Sequence, residues 1–321
     1  NKAILWDAST GEQLHILDGH TAPVIAVEFS PNERRMATAG ADGLVMVWEL
    51  DAATPGRITA PVLLLDGHEG EVTDVTFRPD GQMIATAGLD GIIKLWNATT
   101  GEELGTLSGH ERSVRDVAFS PDGETLFSAG SDQVARIWDV STGGERLVLS
   151  GHTERLTDLA VSPDGLKIAT AGWDGAIRVW DVVTGEELLS FPGDSARAYA
   201  VAFSPDGTLL AAGGTDAVIT MWIAETGEKV MSLPGHGGII YNLDFHPDRQ
   251  RLASGADDGT VRVWDISRAG SREWMTLDGH DWVMFGVHFS PDGSQLATAS
   301  WDGSVKLWDA NLVSAGWGSP T

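Results

Sequence analysis

Tryptophan recurs along this chain at a nearly fixed interval, and that interval limits the folds open to it. Trp6, Trp48, Trp96, Trp138, Trp180, Trp222, Trp264 and Trp308 are separated by 42, 48, 42, 42, 42, 42 and 44 residues. Gly-His pairs end at His20, His68, His110, His152, His236 and His280, and Asp194 stands where a seventh histidine would fall. From each of these seven positions the next tryptophan of that series is 28 residues away. Such a period marks units that cannot bury their faces alone and must stack on one another.

Inside a unit the apolar pattern has a period of two. Val72, Val75 and Phe77 lead into "RPDG", then come "MIATAG", "IIKLW" and "EELGTL". These read as four short antiparallel strands, a to d in chain order, divided by Asp-Gly and Thr-Gly turns. Proline opens the a–b turn and glycine closes it, matching the fixed and the permissive turn positions. With 39 glycines in 321 residues the chain favours tight turns over long helices. A lone four-stranded sheet leaves both faces wet, so the units are expected to stack radially as blades.

Composition narrows the function. There is no cysteine, hence no disulfide framework and no thiolate chemistry. No stretch reaches the roughly 18 apolar residues of a membrane-spanning helix, and no secretory leader precedes the first strand. A start at Asn1 suggests a piece of a longer chain, with a cytoplasmic location as the expectation. The formal charge of -25 argues against a nucleic-acid surface. Many of the acids follow the repeat: Asp42, Asp90, Asp132, Asp174, Asp216, Asp258 and Asp302 at one turn, and Asp80, Asp122, Asp164, Asp206, Asp248 and Asp292 at another.

The Gly-His pair, the 28-residue step and the Trp-Asp pairs at Trp6, Trp138, Trp180, Trp264 and Trp308 resemble the WD-repeat family of β-propellers, over roughly residues 2 to 309. The resemblance implies an all-β, seven-bladed propeller of four-stranded antiparallel blades in one domain, 1–321. Strand a is expected at 24–29, 72–77, 114–119, 156–161, 198–203, 239–245 and 283–289. Residues 12–17 would close the ring as the outer strand of the last blade, with 310–321 as a tail. "AILW" is then surplus: a remnant, a strand outside the ring, or a rival of the C-terminal copy.

The resemblance also implies a structural tetrad in six blades: His20, Thr38, Asp42 and Trp48; His68, Thr86, Asp90 and Trp96; His110, Ser128, Asp132 and Trp138. The remaining sets are His152, Thr170, Asp174 and Trp180; His236, Ser254, Asp258 and Trp264; and His280, Thr298, Asp302 and Trp308. Indole can donate to hydroxyl, hydroxyl to imidazole and imidazole to carboxylate, which leaves no buried orphan. A catalytic triad occurs once, beside an oxyanion hole, whereas this set is copied six times without a nucleophile elbow. No catalytic residue, metal ligand or cofactor is assigned. In the fifth unit Asp194 and Ala212 replace histidine and hydroxyl, so that blade is expected to lack the tetrad and to be locally weaker. Arg197 is near enough in sequence to pair with Asp194, and drift in a repeat held by its neighbours is the plainer account.

Two c–d connections, 51–62 and 267–274, lengthen the period and read as plain excursions. On the opposite, top face some residues depart from the repeat. Trp173, Trp282 and Trp301 are not accounted for by the strand c period, and Arg112, Arg115, Arg155, Arg197, Tyr199, Tyr241 and Phe285 fall near the channel mouth. Aromatic and arginine side chains are preferred interface anchors. The leading reading is a non-catalytic interaction, scaffold or sensor module that binds a protein or peptide there, monomeric in isolation, with an acidic or C-terminal peptide as one option. Its even repeats resemble propellers attached to prokaryotic signalling kinases or nucleotide-driven switch proteins. A second reading is an enzyme or a small-molecule or calcium site in the channel, where Asp74, Asp116, Asp158 and Asn242 share one repeat position. A third is a purely structural or engineered repeat.

Overall fold

A computed structural model describes residues 3–6, 13–17, 19–50, 61–192, 197–267, 272–278, 280, 282–302 and 304–310. Every regular element among them is a β-strand. A hairpin of β1 (Ala3–Trp6) and β2 (Gln13–Leu17) comes first. Blade 1 is β3 (Val24–Phe29), β4 (Arg35–Gly40), β5 (Leu44–Glu49) and β6 (Leu63–Asp66). Blade 2 is β7 (Val72–Phe77), β8 (Met83–Gly88), β9 (Ile92–Asn97) and β10 (Glu103–Ser108). Blade 3 is β11 (Val114–Phe119), β12 (Thr125–Gly130), β13 (Val134–Asp139) and β14 (Glu145–Ser150), and blade 4 is β15 (Leu156–Val161), β16 (Lys167–Gly172), β17 (Ala176–Asp181) and β18 (Glu187–Pro192). Blade 5 is β19 (Ala198–Phe203), β20 (Leu209–Gly214), β21 (Val218–Ile223) and β22 (Lys229–Pro234). Blade 6 is β23 (Ile240–Phe245), β24 (Arg251–Ala256), β25 (Thr260–Asp265) and β26 (Arg272–Asp278), and blade 7 is β27 (Met284–Phe289), β28 (Gln295–Ser300) and β29 (Val305–Asp309). The chain is an all-β, seven-bladed propeller with antiparallel blades.

The core lies between blades rather than within them. Ala37, Ala39, Val45 and Val47 of blade 1 meet Val72, Val75, Ile84 and Trp96 of blade 2, and equivalent clusters fill the other junctions. The ring closes where Ala297, Ala299, Val305 and Leu307 of blade 7 pack on Val24, Val27, Met36 and Trp48 of blade 1. Innermost β27 accordingly neighbours β3.

Closure differs in one detail from the sequence expectation. Residues 12–17 were expected beside β29, but β2 is hydrogen-bonded to β1, and it is β1 that lies beside β29. The N-terminal pair docks on the last blade as an intact hairpin. Only six residues join its strands, so its pairing costs little closure entropy. Asp194, residues 51–60 and 268–271 of the two long connections, and 311–321 of the tail lie outside the described residues.

Each tetrad is a proton-ordered chain. In blade 1 Trp48 Nε1 donates to Thr38 Oγ1 at 2.9 Å, Thr38 Oγ1 lies 2.9 Å from His20 Nε2, and His20 Nδ1 lies 3.0 Å from Asp42. A carboxylate only accepts, so Nδ1–H donates to Asp42; with one ring proton, Nε2 is left to accept, and the hydroxyl, which has accepted from indole, donates to it. Blades 2, 3, 4, 6 and 7 repeat the chain through Thr86, Ser128, Thr170, Ser254 and Thr298. The aspartate also accepts the N–H of the residue after the histidine, as Thr21 N–H does to Asp42 at 2.7 Å, and so ties the d–a loop to the b–c turn. A glycine ahead of that turn leaves room for the pair in blade 2, where a Cβ on Gly88 would stand 2.5 Å from both His68 Nδ1 and Asp90 Oδ1, while Ala256 and Ser300 hold the place in blades 6 and 7.

Burial alone would raise Asp258, yet the Gly237 N–H, the hydroxyl and N–H of Thr260 and the His236 ring together hold it down at about 2. Burial pushes the imidazoles of His152 and His236 down despite their aspartates, so these rings are neutral struts.

Blade 5 has no hydroxyl at the central node. Ala212 occupies it, buried, while Trp222 keeps its place and packs against Phe191 with ring centroids 4.7 Å apart. The hydroxyl that links indole to imidazole in the other blades is missing there. Amide exchange should therefore be faster in β20 than in β16, whose Thr170 carries a complete tetrad, because local opening breaks fewer interior hydrogen bonds. Equal protection of the two strands would show that the neighbouring blades alone set local stability.

Candidate functional site

The innermost strand of every blade has one edge without a strand partner, so half of its N–H groups face the channel unpaired. At four of the seven junctions an aspartate of the preceding blade meets that need. Asp74 accepts the N–H of Val117, Asp116 that of Leu159 and Asp158 that of Val201, at 3.0, 2.6 and 2.7 Å. One turn of the pleat lower, Asp244 accepts the N–H of Phe289 at 2.7 Å. A bulge after the first residue of each inner strand creates the opening, since two residues there oppose one on the next strand. Thr73 and Thr157 use it to donate to the carbonyls of Val114 and Ala198 in the following blade.

The carboxyls crowd one another. Burial, and then Asp116 within hydrogen-bonding reach of both, push Asp74 and Asp158 well above the usual carboxylate range. In the lower layer burial and the charges of Asp244 and Asp116 raise Glu28 to about 8, and burial raises Asp244 to about 7. His288 lies between them, 3.7 Å from Glu28 and 4.0 Å from Asp244, and burial pushes it down to about 4. These side chains touch the channel yet are ringed by protein, so water reaches them without solvating them as bulk solvent would.

For the calcium reading this arrangement is unfavourable. Among the described residues no three acidic or imidazole groups are placed to hold a metal ion. One oxygen of each upper-layer aspartate is already committed to a backbone N–H. The trio is explained as edge capping.

Above this floor the channel widens into a cavity of about 410 Å³ at the top face. Its walls are divided. An aromatic arc runs from Trp173 to Tyr199, Tyr241, Phe285, Trp301 and Trp282, each ring touching the next with centroids 5.0 to 6.2 Å apart. Ile25, Ala41, Thr73, Glu71 and Arg115 form the facing side. Trp282 is 60% exposed and Trp301 49%, whereas Trp138, Trp180 and Trp264 of the tetrads are at most 3% exposed.

Arginines cluster where the arc begins. The guanidinium carbons of Arg155 and Arg197 lie 3.2 and 4.1 Å from the centroid of Trp173. Two such groups cannot share one face at those distances, so the indole is sandwiched between them. Arg115 Nε donates to Ser131 Oγ at 3.0 Å. Burial, with Arg115 and Arg197 adding repulsion, lowers the Arg155 guanidinium from its ordinary value. Two buried polar atoms of the cavity wall, Trp173 Nε1 and Asn242 Oδ1, have no hydrogen-bond partner among the described residues.

The structure thus brings Arg115, Arg155, Trp173, Tyr199, Tyr241, Phe285 and Trp301 around one cavity, with Arg197 and Trp282 braced against its wall. Arg112 is exposed and does not line it; its carbonyl lies against Gly91 of the preceding blade. Sequence reasoning passed over Glu28, Asp244 and His288. Their signal was present: four of the seven residues at the fifth position of the inner strand are Thr76, Ala118, Ala160 and Ala202, so a charged or imidazole side chain there departs from the repeat.

Seven segments, 11–49, 59–97, 101–139, 143–181, 185–222, 227–265 and 272–309, match the model of the WD domain, G-beta repeat. The chain belongs to the WD-repeat family, which is generally a non-catalytic interaction module. From the second onward, each matched segment takes in the outer strand of one blade and ends in the third strand of the next. Among curated proteins, the CCR4-associated factor 4 homolog of Candida glabrata is 43% identical over 51 residues, 16% of this chain and 9% of that protein. The WD repeat-containing protein 26 homolog of Arabidopsis thaliana is 38% identical over 53 residues, again 16% and 9%. Transcription initiation factor TFIID subunit 5 of Caenorhabditis elegans is 41% identical over 46 residues, 14% and 7%. Each alignment spans less than a tenth of the relative's own length.

Glu28 offers a direct test of the channel electrostatics. A carboxyl whose folded pKa is raised is tolerated while protonated, and its stability contribution is lost as pH rises through the folded value, here from about 4.5 to about 8. Glu28→Gln mimics the protonated acid. It should leave the unfolding free energy unchanged at pH 5 and raise it by about 1–3 kcal/mol at pH 8. An offset that does not vary with pH would show that burial and the charges of Asp244 and Asp116 do not raise the Glu28 carboxyl.

Proposed function

We propose that this chain is a non-catalytic interaction module that receives a peptide segment of a partner protein in the top-face cavity. The observation carrying this reading is the continuous, partly exposed aromatic arc from Trp173 to Trp282, built from positions where the repeat itself requires no aromatic residue. Large rigid rings around a concave opening are what interface hot spots are made of. Two of the similar proteins are named as an associated factor and as a subunit of an initiation factor, which fits a role in holding proteins together. Attachment to a larger signalling protein of prokaryotic type rests on the evenness of the repeats alone. A small ligand in the cavity is the second reading, and the unpartnered Trp173 Nε1 and Asn242 Oδ1 favour it.

Peptides panned from a random library on the whole chain test the first reading. Trp301→Ala should weaken the selected peptides by about 1–3 kcal/mol and leave the melting temperature nearly unchanged. Trp180→Ala should cost about 3–5 kcal/mol of stability, through the cavity it opens and the indole bond to Thr170 it removes. If Trp301→Ala unfolds the chain as readily as Trp180→Ala, that indole belongs to the scaffold and the reading falls.

A further inference from the structure

The bases of this chain are outnumbered by 46 acids to 21, so an arginine without an acidic partner runs against the composition. Where bases on the blade faces are buried or half-buried the rule holds: Lys94 pairs with Glu103, Arg136 with Glu145, Arg178 with Glu187 and Arg262 with Glu273, whereas Arg34, Arg112 and Arg146, with no ion pair among the described residues, are exposed. At the cavity mouth it fails for three arginines together. Arg115, Arg155 and Arg197 form no ion pair among the described residues, and the guanidinium groups of the last two find no acceptor there either. Glu71 stands near Arg115 and Glu154 near Arg155, neither within ion-pair distance. Like charges gathered in this way repel, and the fold holds them together by clamping Trp173 between two of them.

We infer that the peptide taken by this cavity carries a carboxylate, which seats on Arg155 and Arg115, and that a bulky apolar residue beside it lies on the aromatic arc. The inference rests on the peptide-binding reading above and names the chemistry of the occupant. Arginine presents a planar fork of donors that fits a carboxylate in two-point contact, and stacking on indole fixes the plane of that fork in advance. Little side-chain entropy is then left to lose on binding. The arc starts at the same Trp173, so charge recognition and apolar contact are adjacent by construction. A basic peptide drawn to the channel acids is the rival. It would have to pass the arginines, and the acids it sought already accept the N–H groups of Val117, Leu159 and Val201.

The carboxylate has two sources, an Asp or Glu side chain or a free C-terminus, and one design separates them. Random peptides are panned on the whole chain in two formats, with a free C-terminus and with an amidated one, and binders are remeasured by fluorescence anisotropy. Selected peptides should be enriched in Asp or Glu next to Phe, Leu, Ile or Trp in both formats, or should bind only with a free C-terminus. Their dissociation constants should rise at least tenfold with Arg155→Gln and with Arg115→Gln, less with Arg155→Lys, and should rise with salt, at unchanged melting temperature. Binders that lose affinity with Trp301→Ala but not with either arginine variant would overturn this inference and leave peptide binding standing. Enrichment of Lys or Arg, or at least tenfold tighter binding when phosphoserine replaces the acid, would overturn it in favour of the other chemistry. Absence of any Trp301-dependent binder would remove the peptide reading itself, and this inference with it.

Discussion

No blade of this molecule has a core of its own. A four-stranded sheet of six-residue strands buries its apolar faces only against the sheets on either side, and all seven junctions are filled in this way, including the one where the ends of the chain meet. Hydrophobic burial is non-directional, so by itself it would let the sheets slide and rotate on each other. The tetrads supply direction. Each pins a d–a loop to a b–c turn through a buried chain of hydrogen bonds that runs from indole to carboxylate. Blade 5 shows that the ring keeps its indole in place, as Trp222, with the hydroxyl of one such pin missing.

Stacking outward leaves a debt at the centre, where the innermost strands expose a row of donors to the channel. Carboxylates reaching across from the neighbouring blade answer it, and their crowding then raises their own proton affinity. The same constraint shapes the region that is free to vary. The inner strand's second residue and the turn ahead of each tetrad aspartate take no part in the pins, so Ile25, Thr73, Arg115, Thr157, Tyr199, Tyr241 and Phe285 differ from blade to blade. Asymmetry in a symmetric frame marks the cavity mouth.

The fold was readable because its signals recur: the 28-residue step, the Gly-His pairs and the Asp-Gly turns each appear six or more times, and position alone separated the tetrad tryptophans from Trp173, Trp282 and Trp301. What escaped was whatever depends on the meeting of distant units. Glu28, Asp244 and His288 lie in three different blades, and only the closed ring makes them neighbours. The seating of β1 on β29 was likewise hidden, since each strand of the hairpin keeps one edge free to meet β29 and the local pattern does not rank the two. Arg155 and Arg197 were noticed as residues near the mouth, but not their grip on Trp173, because a stacking contact leaves no period in the sequence.

The matched segments and the blades are out of step: 101–139 supplies the outer strand of blade 2 and the three inner strands of blade 3. As material for genetic change, this phase has a definite effect. Duplicating or deleting one such segment leaves no strand orphaned, because each copy brings the closing strand for whatever precedes it. The ring then gains or loses a complete blade. Blade number can change by crossing-over between copies without passing through a broken sheet, and the remaining obstacle is geometric, the curvature needed to bring the last face back to the first.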